Sequence, residues 1–105
     1  QDITDLDDAR RQRLETNPAA AAFWAIATRG YKEAVAHWIV SAKQEATRDK
    51  RLAELIEDCA AGRLVKFQRY GTPPAWVARA AAAAAGAQAA GAQAAGAQAA
   101  GRMDS

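Results

Sequence analysis

The sequence predicts an all-α fold, a small bundle of about four short helices followed by an Ala/Gly/Gln-rich C-terminal tail. Two apolar stripes carry that prediction. Tyr31, Val35, Trp38, Ile39 and Ala42 recur at i, i+4, i+7, i+8 and i+11, and Leu52, Leu55, Ile56 and Cys59 at i, i+3, i+4 and i+7, the spacing of helices with one buried face. Start and stop residues flank them: Asn17-Pro18 and Thr28 open helices, and Gly62 is a left-handed stop. Residues 31–63 thus read as a helical pair joined by a short basic connection.

Taken in order, Thr4 or Asp5 is expected to cap a first helix that runs to about Thr16 and buries Leu6 and Leu14. Asp7 and Asp8 stand in its opening turn, where carboxylates meet free amides and the positive end of the dipole, and Arg10, Arg11 and Arg13 follow. A second helix over 18–27 places Phe23 and Ile26 on one face, with Ala19 and Ala22 letting another helix approach. The third begins at Thr28-Arg29-Gly30 and is anchored by Trp38. After Lys43-Gln44-Glu45 the fourth runs from about Ala46 to Ala61. Residues 64–71 receive no element, and Thr72-Pro73-Pro74 reads as a breaker and an exit from the domain.

Beyond it, residues 75–85 have strong helix propensity but carry only Trp76 and Val77 as bulky apolar groups. The GAQAA copies over 86–100 put a glycine at every fifth position, which advances ~140° per repeat and marks no face. A frayed helix or a disordered tail is expected there. The domain division is therefore 1–71 for the helical module and 72–105 for the break, Ala-rich helix and tail. The expected core is Leu6, Leu14, Phe23, Ile26, Tyr31, Val35, Trp38, Ile39, Leu52, Leu55, Ile56 and Cys59. A core of this size commonly supplies only ~3–5 kcal/mol, so the module is expected to lean on a neighbour.

Composition excludes several classes. The net charge of +2 is mild and the charges are mixed, so the pI near 9.0 overstates how basic the surface is. One cysteine cannot make an intramolecular disulfide or a cysteine zinc site, and a reducing, cytoplasmic compartment is the default. The chain starts on Gln, which fits a fragment or a processed product, and a periplasmic setting follows if an upstream signal was removed. No stretch is apolar and long enough to read as a membrane span.

The one constellation that supports a functional hypothesis is Lys43, Thr47, Arg48 and Arg51. Lys43 lies four residues after Ile39 and Arg48 four before Leu52, so both extend the apolar stripes and meet near the helix connection. In one reading Lys43 and Arg48 bond the last carbonyls of the third helix and Arg51 pairs with Asp58, Glu54 or an acid of the first helix. In another the same face recognises a partner protein. In a third, Thr47 at the start of the fourth helix and the surrounding cations hold a small anion or a nucleic-acid phosphate.

Nucleic acid is disfavoured because Glu54, Glu57 and Asp58 punctuate the fourth helix. Lys66-Phe67-Gln68-Arg69-Tyr70 interleaves bases and aromatics, yet a closing turn with Phe67 or Tyr70 on the bundle explains it as well. His37 is expected to pair with Glu33 on the helix surface, and Cys59 to act as a small hydrophobe. With no phosphate loop, nucleophile elbow or paired buried carboxylates, no catalytic residue, metal ligand or cofactor site is expected.

Asn17-Pro18, Ala22-Phe23, Val35 with Trp38-Ile39, Ser41-Ala42-Lys43, Thr47-Arg48, Arg51-Leu52 and Ala60-Ala61-Gly62-Arg63 resemble the C-terminal helical module of the bacterial YdeI/OmpD-associated, or bacteriocin-protection, family. The resemblance covers roughly residues 5–63, and its most specific part is the A-K-x-x-x-T-R-x-x-R-L run after Trp38-Ile39. Ala34 departs from it where members often carry an aromatic, and Ala46 where a glutamate often stands. The resemblance implies a non-enzymatic bacterial protein of envelope stress and antimicrobial-peptide resistance. It also implies an unknown protein partner, a β-rich domain upstream of the module being one candidate.

Overall fold

The computed structural model describes residues 5–104 along the backbone, with side chains to residue 91, and its elements there are helical. They are α1 (Asp8–Glu15), α2 (Pro18–Ile26), α3 (Arg29–Val40), α4 (Glu45–Ala60), a 3-10 turn (Lys66–Gln68) and α5 (Ala75–Asp104). Asp7 caps α1, its carboxylate accepting the Arg10 amide at 2.9 Å, whereas Asp5 is spent on the Leu6 amide at 2.7 Å. That corrects the expected cap at Asp5, and Thr4 lies outside the described residues. Asn17 caps α2 and Thr28 caps α3 as their sequence signals predict. Gln44 stands at the cap position of α4 without a side-chain cap bond, and the helix begins at Glu45, one residue earlier than the expected Ala46.

The chain is built around α2, which packs on α5, α4 and α1. Ala19 and Ala20 let those helices come close, and Phe23 is fully enclosed beside Leu14, Val35, Ile39, Leu52, Leu55 and Cys59. Trp24 rather than Ile26 is the second large side chain that α2 buries, because the packed face runs through positions 19, 20, 23 and 24 and leaves Ile26 36% exposed. Trp38 and Ile56, both expected in the core, are only partly buried against it. Tyr31, Val35, Ala36 and Ile39 form the inward stripe of α3. On the surface, α1 is laced to α4 by Arg10 with Glu45 at 3.2 Å and Arg13 with Asp49 at 3.4 Å.

Thr72-Pro73-Pro74 turns the chain back onto the bundle instead of leading it away. Trp76, Ala80 and Ala84 of α5 belong to the same core, and Trp76 meets Phe23 edge-on with ring centroids 5.8 Å apart and Tyr31 at 5.3 Å. The helix thus anchored continues along the backbone through the GAQAA repeats to Asp104. Gly62 has φ +77, and a Cβ there would meet the Ala81 Cβ at 3.0 Å, so glycine serves both the left-handed stop and the close passage of α5.

Candidate interaction face at the α3–α4 junction

α3 ends with Trp38 partly buried in its last turn and the exposed Ser41 as its cap, and the chain reverses through Ala42–Gln44 into α4. A helix end leaves carbonyls without intrahelical partners. Here arginines of α4 supply the donors: Arg51 Nη1 donates to the Trp38 carbonyl at 2.6 Å and lies 3.5 Å from the Ser41 hydroxyl, while Arg48 Nε donates to the Ala42 carbonyl at 2.8 Å. Arg48 also reaches Glu45 at 3.5 Å. Arg51 therefore does not pair with Asp58, Glu54 or an acid of α1.

Holding Arg51 there sets its guanidinium over the Trp38 ring, 5.3 Å from the centroid. Phe67, on the 3-10 turn, tilts against the same indole at 5.2 Å and stays 43% exposed. The result is a guanidinium and a phenyl ring both set against one indole, the guanidinium held by its hydrogen bond to the Trp38 carbonyl. Lys43 is exposed in the connection, with no ion pair among the described residues, and Thr47 sits half-buried in the first turn of α4. The structure thus brings Arg48, Arg51 and the connection of Lys43 together, and adds Trp38 and Phe67. Their surface role was hidden in the sequence because Trp38 falls on the apolar stripe.

A second ionic centre was missed altogether. Asp58 is 7% exposed and takes Arg63 Nε at 2.7 Å and Arg69 Nη2 at 3.3 Å, while Arg69 Nε also donates to the Leu64 carbonyl at 2.7 Å. This cluster closes the segment after α4 over the core, burying Leu64 and Val65. Its only sequence signal was an aspartate on the inward edge of the α4 stripe, with one arginine just before the unassigned stretch and another inside it. Glu33 pairs with Arg29 at 3.0 Å rather than with His37, which is exposed. Cys59 is fully buried and its thiol is pushed up to about 12 by burial and by Asp58. Among the described residues no cluster of three or more His, Cys, Asp or Glu could hold a metal ion, and no helix is long and apolar enough to cross a membrane.

Residues 5–62, which end on the stop glycine of α4, match the sequence model of the family described as bacteriocin-protection, YdeI or OmpD-associated. No curated protein and no solved structure matches the chain.

Proposed function

The chain belongs to the bacteriocin-protection, YdeI or OmpD-associated family, and we propose that it protects without catalysing a reaction, by binding a protein partner through the α3–α4 face. The observation that carries this reading is Arg51 laid over Trp38 with Phe67 beside it. Arginine and large aromatics dominate the energetics of protein interfaces, and side chains already held in place lose little freedom when a partner lands on them. Lys43 adds an exposed positive charge in the α3–α4 connection, which favours a partner with an acidic rim. The exposed acids Glu54 and Glu57 on α4 disfavour a phosphate backbone as that partner. A cytoplasmic setting is part of the proposal, and the lone buried thiol of Cys59 suits a reducing compartment.

The test is survival of bacterial cells challenged with a bacteriocin or cationic antimicrobial peptide, with and without expression of the chain. Expression is expected to raise survival, and the double variant Lys43→Glu, Phe67→Ser, which touches exposed positions only, is expected to abolish the gain while melting like the parent. Equal protection by parent and variant would sink the role of this face.

A further inference from the structure

At the opposite end of α3 from that face, the bundle contains a cavity of about 270 Å³. Its walls include Tyr31 and Ala34 of α3, Gln68, Tyr70 and Thr72 of the segment after α4, and Trp76 of α5. No residue lining it is charged. A dry protein cavity of ~150 Å³ suffices for a benzene ring, so this one has room for a six-membered ring and a short substituent.

Three polar side chains in the lining keep a proton to donate. The Tyr31 hydroxyl accepts the Val65 amide at 3.0 Å, which leaves its own proton to give. Burial raises the Tyr31 pKa, so that proton is retained well above neutral pH. The Gln68 side-chain amide and the Thr72 hydroxyl make no hydrogen bond among the described residues. Tyr70, by contrast, is 75% exposed at the rim, a large ring left in water beside an aromatic-walled hollow. Closing it over a flat ligand would remove apolar area from water on both partners.

We propose that this cavity binds a small uncharged molecule that combines a flat ring with a carbonyl acceptor, of the chemical class of aromatic carboxamides. The ring lies against Tyr31, Tyr70 and Trp76, and the carbonyl accepts from Tyr31, Gln68 or Thr72. A carboxylate or an ammonium is rejected, because desolvating its charge in a lining without a counter-charge is not offset. Ala34 sets the depth, since a larger side chain at that position occupies the space.

Benzamide is the probe, titrated into the full chain while the indole N–H of Trp76 and the Gln68 side-chain amide are followed by NMR. A saturable shift of both resonances is expected, with a weaker response to toluene and none to benzoate. Tyr70→Ala removes an exposed wall and Ala34→Phe fills the space; each is expected to abolish saturation, with a melting curve showing that the variant folds. The proposal is overturned if benzamide gives no saturable shift with the parent, if both folded variants bind it unchanged, or if benzoate or toluene binds as tightly.

Discussion

The buried Val65 amide donates to the hydroxyl of Tyr31 at 3.0 Å, a bond between residues 34 apart that ties the segment after α4 to α3. Removing the hydroxyl leaves an amide in the core with nothing to replace water. Tyr31→Phe is therefore expected to destabilise the fold by about 1–3 kcal/mol, measured by urea unfolding, although it deletes one oxygen and no apolar contact.

Arg51→Met keeps most of the side-chain length and loses the charged bond to the Trp38 carbonyl. An expected cost of about 1–2 kcal/mol follows from a charge-assisted hydrogen bond with part of its surface in water. Arg51→Lys is expected to recover little of it, because an ammonium lacks the planar fork that bonds the carbonyl and lies over the indole together. Chemical denaturation of the two variants side by side decides the point.

Gly62→Ala meets a left-handed backbone, at about 1–2 kcal/mol, and in addition the Ala81 Cβ at 3.0 Å. Gly71 also has a positive φ of +61, but open space surrounds it. Thermal melts are expected to place Gly62→Ala clearly below Gly71→Ala, the difference reporting the passage of α5 across the end of α4.

The Cys59 thiol rises from an ordinary 9.0 to about 12, chiefly through burial and then through the Asp58 charge. Folding thus favours the neutral thiol over the thiolate. This contribution is whole below about pH 9 and is lost as pH rises from there towards about 12, where the unfolded chain sheds its proton and the folded one does not. Unfolding free energy is expected to fall across that interval and to fall less steeply in Cys59→Val. At neutral pH a thiol reagent is expected to label the protein only in denaturant.

Asp58→Asn leaves Arg63 and Arg69 without their shared carboxylate and loosens the closing segment. Both arginines reach water, with side-chain exposures of 47% and 44%, so the expected loss is about 1–2 kcal/mol and not that of a fully buried pair. Amide exchange at Leu64 and Val65 is expected to quicken more than at Leu52, which separates a loosened segment from a weakened bundle.

How far the fold was legible follows from where periodicity speaks. The caps at Asn17 and Thr28, the stripe from Tyr31 to Ile39 and the stop at Gly62 act locally, and the helices they delimit form where expected. Alanine carries no such information. Ala19, Ala20, Ala80 and Ala84 are core residues because another helix lies on them, and nothing in an Ala-rich run says which face that is. Trp76 looked stranded in a tail, and its partners Phe23 and Tyr31 are some fifty residues away. The site was half legible for a related reason. Spacing brought Lys43, Arg48 and Arg51 to one junction, but whether a guanidinium seeks a carboxylate or a carbonyl depends on the end of α3, which spacing does not describe.

The return of α5 to α2 also sets the order in which the molecule can become itself. The stretch that bears the family's signature closes at residue 62, yet Phe23 acquires its Trp76 neighbour only when the last helix arrives. On a ribosome, which releases the chain from its amino end, the first four helices stand with that flank bare until α5 has left the exit tunnel. Chains cut after residue 71 are therefore expected to bind a dye for exposed apolar surface and to aggregate, and a peptide spanning 75–91 is expected to restore them.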